Sequence, residues 1–392
     1  MSRTRSKRSK RKVPLDAEDE DSSSRVKSSK VLRIEEAPIF EPTWEEFQDM
    51  PCFLHREDVK EAGMRCGIIK IVCPPTWQPV DNSAVQRLTS VPVVTQTFEQ
   101  KCDGCYYFYR DEPEEINLGV WGRRVAENDE VIDEEWRDIC KGKTKSAFSD
   151  KTEKYWSTLL SQRAQYAADV SGSLMRKELE HWNLGSGNLH CLTQNLGREE
   201  RNIPGVTSPY LYFGAFGTTF GYHTEDADLY SINYLVEGSP KEWTAVPAAY
   251  GEKLENVVKK LFQYGPDKCP AFMREKSHVI RPDVLLKEGV PVYRASQGKH
   301  QIIVTFPYAY HGGFNSGDNV AEARNVALSD WIPYGLAARS CTCGKCTYPN
   351  PMPKTLVEKI ARKTDHPEYY KYKEFGKKFA DGAPYPHPNQ KS

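Results

Sequence analysis

No stretch of the chain reaches the ~18 consecutive apolar residues of a membrane-spanning helix, and no apolar run follows the N-terminal positive charges as it would in a secretory leader. The expectation is a soluble intracellular protein with no membrane partner. An excess of one charge is also missing: 54 basic residues face 54 acidic ones, so net charge names no partner. No internal repeat is visible, which argues against an array of stacked units. The eleven cysteines are odd in number and several cluster. In an intracellular chain that favours metal ligation or free thiols over a disulfide framework.

Charge is uneven locally. Residues 1–12 carry seven Lys/Arg, and the run DAEDEDSSS follows. That composition cannot build an apolar face, so residues 1–36 are expected to be a disordered arm. Its basic cluster reads as a nuclear import signal, a weak nucleic-acid contact or simply a solvated tail. Thr43 and Glu46 have capping-box spacing and predict a helix start. GIIKIVCPP predicts a strand stopped by Pro74 and Pro75. Residues 81–150 look polar and irregular, with a lone CxxC at Cys102 and Cys105 that reads as two ordinary thiols. A helix is expected around 151–164. Leu254, Val257, Val258, Leu261 and Phe262 have helical spacing and predict a helix packed on a β core. Residues 205–247 and 300–331 alternate aromatic and β-branched residues between Gly/Pro breaks, the pattern of an antiparallel sandwich or barrel. The fold class is therefore mainly β with peripheral helices, and the tail over 376–392 is expected to be loose.

Within those β-rich runs lie His223, Glu225 and His311. Residues i and i+2 of a strand share a face, so one strand can aim His223 and Glu225 at one metal while a second strand brings His311. Two neutral imidazoles and one carboxylate form the facial triad of non-haem Fe(II) oxygenases, which leaves positions open for co-substrate and O₂. Alone, H-x-E is a weak signal.

The surrounding blocks carry more. PYLYFGAFGTTFGYHTEDADLYSINYLVEGSPKEWTAVP and TFPYAYHGGFNSGDNVAEARN resemble the catalytic JmjC domain of histone lysine demethylases. IFEPTWEEFQDMPCF and AGMRCGIIKIVCPPTWQP resemble the JmjN segment that accompanies it. The likeness points to the subfamily acting on trimethylated lysines at the ninth and thirty-sixth positions of histone H3. It implies a double-stranded β-helix (a jelly-roll, cupin-like fold), with JmjN over 37–80, a mixed linker over 81–150, JmjC over 151–335 and a zinc-bound helical segment over 336–375. It also implies a nuclear chromatin regulator.

The resemblance further implies Fe(II) on His223, Glu225 and His311, with 2-oxoglutarate as co-substrate. Lys241 would meet the far carboxylate as a compact charge. Tyr166 and Asn233 would be its partner donors, Phe220 an aromatic wall, and Ser231 a neighbour on the face of Asn233. Oxidative decarboxylation would give succinate, and hydroxylation of an N-methyl group would release formaldehyde. A methylated ammonium keeps its charge but loses donors, so aromatic faces and C–H···O contacts must recognise it. Tyr212 is assigned to that pocket and Tyr210 to the peptide backbone, with Asp169, Gly205, Ala323, Arg324 and Asn325 as further substrate contacts.

Cys341, Cys343 and Cys346 fall within six residues, a strong zinc signal. Cys269 matches the family's remote thiolate. The family's fourth ligand is a histidine, where this chain has Glu275. Either Cys346 completes the set, or His278 reaches back, or zinc is absent. Two other departures concern substrate choice. Pro204 replaces an acid, and Ala323-Arg324 replaces two small hydroxyl residues. A guanidinium at ~4 Å from a quaternary ammonium would cost about 4 kcal/mol at an effective dielectric near 20. Arg324 must therefore turn away, pair with an acid such as Asp318 or Glu322, or alter the accepted methyl state. The alternatives to a demethylase are a protein hydroxylase of the same superfamily and a chromatin-binding relative with weakened activity.

Overall fold

The computed structural model describes residues 33–139, 147–186, 203–265, 269–341, 352–378 and 385–389. Strand β1 (Glu35–Glu36) already lies within the segment expected to be a disordered arm. Next come β2 (Ile39–Phe40), α1 (Trp44–Gln48), α2 (Met50–His55), α3 (Glu57–Cys66) and β3 (Ile68–Val72). Thr43 caps α1 reciprocally: its hydroxyl accepts from the Glu46 N–H at 3.3 Å, and the Glu46 carboxylate accepts from the Thr43 N–H at 2.9 Å.

Residues 81–150 are more ordered than their composition suggests. They hold α4 (Asn82–Arg87), β4 (Ser90–Cys102), β5 (Cys105–Arg110), β6 (Glu114–Asn117) and the long helix α5 (Leu118–Ile139). Helix α6 (Ala147–Thr158) leads into β7 (Gln165–Ser171), β8 (Tyr210–Gly214), β9 (Thr219–His223), β10 (Tyr230–Gly238) and β11 (Lys241–Val246). Then follow α7 (Gly251–Leu261), β12 (His278–Ile280), α8 (Pro282–Lys287), β13 (Tyr293–Gln297), β14 (Gln301–Thr305), β15 (Tyr310–Asn315) and β16 (Asn319–Val326). Helices α9 (Ile332–Ala337), α10 (Lys354–Lys363) and α11 (Pro367–Lys378) are the last regular elements among the described residues.

Among the described residues the strands form two sheets. The smaller runs β1-β13-β11-β15-β9, and the larger runs β12-β5-β4-β7-β8-β16-β10-β14-β3-β2 with β6 beside β4. Because β1 joins the small sheet and β2–β3 the large one, the N-terminal segment ties both together. Its aromatic residues weld it further: Phe47 stacks on Trp182 at 4.8 Å and meets Trp77 edge-on at 5.3 Å. Helix α7 buries Leu254, Val257 and Val258, the stripe predicted from spacing, and each such side chain contributes about 1.5–3 kcal/mol. The same helix buries Glu255, which accepts from the Tyr308 and Tyr310 hydroxyls at 2.9 Å each and from Arg339 at 2.6 Å. The tail is not wholly loose: α11 extends to Lys378, and His387 is only 8% exposed.

Candidate active site

Strand β9 delivers His223 as its last residue, and the backbone stays extended through Glu225 (φ −68°, ψ 163°) before a short 3-10 turn over Asp226–Asp228. Strand β15 lies antiparallel to β9 with His311 directly opposite His223. One ligand atom from each of His223, Glu225 and His311 lies within 4.8 Å of the others. The Nδ1 of His223 is 2.7 Å from the Gly221 carbonyl oxygen, and that of His311 is 3.1 Å from the Ala309 carbonyl oxygen. A carbonyl only accepts, so each ring carries a proton on Nδ1 and turns Nε2 toward the other ligands, that of His311 lying 3.3 Å from the Glu225 carboxylate. Burial, then the charges of Lys276 and His311, hold the His223 imidazole well below its usual pKa. Burial alone would raise the Glu225 carboxyl. The hydrogen bond and charge of His311, with His223 and Lys276, pull it well below the carboxylate range instead. A neutral imidazole and an ionised carboxylate are the protonation states a divalent cation needs.

The triad opens into a cavity between the two sheets. From the small sheet come Phe220, Lys241 and Trp243; from the large one Tyr166, Tyr212, Ser231, Asn233 and Ala323. Lys241 is 2% exposed, and no carboxylate among the described residues lies within salt-bridge distance of it. Its ammonium sits 3.5 Å from the Tyr166 hydroxyl and 5.0 Å from the centre of the Phe220 ring. Burial lowers its pKa to about 7. The buried Asn233 Oδ1 has no hydrogen-bond partner. A desolvated cation beside a metal-binding triad fits an anionic co-substrate that supplies its missing counter-charge, while a carboxylate could meet Asn233 only through the amide's N–H donors. Ser231 hydrogen-bonds Thr305 at 2.6 Å, so its hydroxyl is already engaged.

The remaining substrate positions separate. Tyr212 lines the cavity and donates to Asp169 at 3.3 Å. Tyr210 lies outside that lining, half-buried against Gly205, whose φ of +73° and contact with the ring leave no room for a Cβ. On β16, Ala323 faces Asn233 across the sheet and lines the cavity. Asn325 is buried and donates to the Tyr230 carbonyl at 3.1 Å. Arg324 points to the opposite face, where its guanidinium donates to the Leu184 carbonyl at 3.1 Å and to the Ser186 carbonyl. Of the three outcomes anticipated for Arg324, the structure shows the first, with backbone carbonyls as its hydrogen-bond acceptors rather than Asp318 or Glu322.

Cys269 is buried, with its Sγ 3.6 Å from that of Cys341, far beyond disulfide length. Cys343 and Cys346 lie outside the described residues. His278 sits among Tyr107, Phe262, Tyr264 and Phe272, its Nε2 2.8 Å from the Tyr264 hydroxyl.

Among the cavity residues that sequence reasoning missed are Gln96, Arg110 and Lys276. Gln96 clamps Thr219 through both backbone groups, at 2.7 and 2.8 Å. Lys276 is held at φ +53°, and its carbonyl would meet a Cβ on Gly221 at 2.4 Å. None of the three carries a spacing signal; each reaches the site through tertiary packing.

Residues 210–326 match the JmjC domain, described as a hydroxylase, and residues 38–73 match the jmjN domain. The chain is 36% identical over 327 residues to lysine-specific demethylase 4B of Mus musculus, covering 83% of this chain and 28% of that protein. It is 38% identical over 312 residues to lysine-specific demethylase 4D of Rattus norvegicus, covering 78% and 58% respectively. It is 36% identical over 310 residues to probable lysine-specific demethylase 4F of Homo sapiens, covering 78% and 46%. The matched regions thus span from 28% to 58% of these relatives' lengths. A mainly β, cupin-like domain with His223, Glu225 and His311 converging on its floor makes this a JmjC-domain protein. Its jmjN segment and these relatives make the chain similar to JmjN/JmjC lysine demethylases over 78–83% of its length.

Proposed function

We propose that the chain is an Fe(II)- and 2-oxoglutarate-dependent oxygenase that removes methyl groups from methylated lysines of histone H3 in the nucleus, on a double-stranded β-helix. The observation that carries this reading is the pairing of the triad with a buried, carboxylate-free lysine in one cavity. His223, Glu225 and His311 would hold Fe(II). When bound, the metal and 2-oxoglutarate supply an O₂-dependent oxidation that yields succinate and hydroxylates an N-methyl group, from which formaldehyde leaves. The protein's own residues prepare that step. Lys241, Tyr166 and Asn233 bind the co-substrate's far carboxylate, Phe220 and Trp243 wall it from water, and the two Nδ1–H bonds fix the ligand rings.

The substrate reading rests on the large-sheet wall. The Tyr212 ring and the Asp169 carboxylate face the cavity and suit a cation without strong donors. Ala323 leaves space beside them, and Arg324 is turned away. Tyr210, Gly205 and Asn325 would shape the peptide path from outside the cavity. We further assign one structural Zn²⁺ to Cys269, Cys341, Cys343 and Cys346. Two thiolates on a tetrahedral zinc with ~2.3 Å bonds lie about 3.8 Å apart, close to the Cys269–Cys341 separation of 3.6 Å. Contacts to chromatin through the basic residues of 1–12 belong to this proposal also.

The test is to incubate the chain with Fe(II), 2-oxoglutarate and a panel of methylated histone H3 peptides. Succinate, formaldehyde and stepwise loss of one-carbon units are expected, all abolished by His223→Ala. A peptide that gains one oxygen without formaldehyde would establish a hydroxylase in its place.

A further inference from the structure

Both halves of the metal cage hang on strained turns. Three residues after Glu225, Asp228 has φ +52°, and Ala227 before it has φ +50°. Three residues before His311, Tyr308 has φ +55°. None is glycine, so each left-handed residue costs about 1–2 kcal/mol and persists only where its surroundings hold it. Arg274 pairs with the Asp226 carboxylate, and the Trp331 indole N–H donates to the Ala227 carbonyl at 2.8 Å. The Tyr308 hydroxyl is anchored on Glu255.

One side chain touches both turns, and it comes from the C-terminal tail. The His387 ring packs on Tyr308, tilted by 36° with centroids 3.7 Å apart, and its Nε2 lies 3.7 Å from the Asp228 carboxylate. Its segment is docked on either side. Asn389 donates to the Tyr334 hydroxyl at 3.3 Å, and the Tyr385 hydroxyl donates to Glu368. Tyr334 also flanks the His387 ring at 5.1 Å.

We propose that residues 385–389 form a clamp in cis, in which His387 is a positioning residue that fastens the Glu225 turn to the His311 turn and so sets the spacing of the metal ligands. The clamp rests on the reading of His223, Glu225 and His311 as the metal site. Its consequence is a metal centre whose affinity depends on whether the tail is docked.

The experiment measures Mn(II) binding by the EPR signal of free Mn(II), with the full chain, a chain ending at residue 384, and the variants His387→Ala, Asp228→Asn and His387→Phe. Loss of a group that supports metal ligands from behind weakens metal binding about 10-fold or more, so His387→Ala and the shortened chain are expected to bind about 10-fold more weakly. Asp228→Asn should lose affinity in the same direction. His387→Phe keeps a ring against Tyr308 and should recover part of the loss. Co(II) absorption bands of His387→Ala, recorded well below the melting temperature of its metal-free form, should shift from those of the full chain, which lost fold stability alone would not produce. Wild-type Mn(II) affinity in both His387→Ala and the shortened chain would overturn the clamp and leave the proposed function standing. Tight Mn(II) binding by the full chain, lost in His223→Ala but with no succinate formed from 2-oxoglutarate and Fe(II), would overturn the function while the clamp is still judged by the affinities. Absence of Mn(II) binding at the triad in the full chain would sink both.

Discussion

On the small sheet, His223, His311 and Lys241 all point inward, and burial shifts the protonation of His223 and Lys241. On the large sheet, strand β16 gives the cavity only the methyl of Ala323 and sends both its charged neighbours the other way. Glu322 is fully buried on the outer face, accepting from the Ser173 hydroxyl at 2.6 Å and the Leu174 N–H at 2.9 Å. Arg324 does the complementary task on the carbonyls of Leu184 and Ser186. The small sheet is thus the reactive wall, and β16 is the shaping strand of a wall whose other strands bring Tyr166, Tyr212 and Asn233 to the cavity, its own charges being spent on holding the segment over 171–186. The difference shows that alternation along a strand separates chemistry from scaffolding within two residues.

Substitutions can break this contrast, and the largest effect is expected on the reactive wall. His311→Ala should abolish metal binding and succinate formation together, because two remaining ligands do not hold Fe(II) in a closed site. Lys241→Met should weaken 2-oxoglutarate by about 10–100-fold, the 1.5–3 kcal/mol of a charged hydrogen bond, with Mn(II) affinity unchanged. Lys241 also sets a pH dependence. Its free-state pKa is about 7, and a bound carboxylate must raise it. Affinity for 2-oxoglutarate should therefore fall as pH rises above 7, and binding at pH 8 should take up a proton; calorimetry in buffers of different ionisation enthalpy reads this directly.

On the shaping wall the effects should be on stability. Arg324→Ala should cost roughly 1.5–3 kcal/mol by leaving buried carbonyls unpaired, while preference among mono-, di- and trimethyl peptides stays the same. A changed preference would show that the outer face reaches the substrate after all. The smallest effect concerns Glu322, whose pKa burial raises from 4.5 to about 7. A carboxyl that binds its proton more tightly when folded favours the fold at low pH, and that contribution is lost as pH rises from 4.5 to 7. Glu322→Gln removes the charge, its oxygen still accepting from the Leu174 N–H and its Nε2–H donating to the Ser173 hydroxyl with that bond reversed, so its melting temperature should vary less over that range than the wild type's.

The contrast also explains what could be read from the chain. His223, Glu225 and His311 were legible because strand period and ligand chemistry constrain them at once, and Thr43–Glu46 because capping is local. Strand β4 was not. Its buried residues run Val91 and Val93, then Gln96 and Phe98, so alternation changes phase midway as its partner changes from β6 to β7 to β5. With Pro92 inside and polar residues around it, the run imitates a loop. The orientation of Arg324 was equally hidden: residue type predicts a charge, but only the sheet's pairing decides which face it takes. His387 carried no signal because its place depends on two turns far away in sequence.

The central claim is that three side chains bind one iron while Lys241 receives the co-substrate. A crystal grown without oxygen in Fe(II) and 2-oxoglutarate, measured at the iron absorption edge, tests it most directly. We predict a single anomalous peak bonded to Nε2 of His223, Nε2 of His311 and the Glu225 carboxylate, with the far carboxylate of 2-oxoglutarate on the Lys241 ammonium. Iron at any other set of residues, or 2-oxoglutarate bound away from Lys241, would contradict the account.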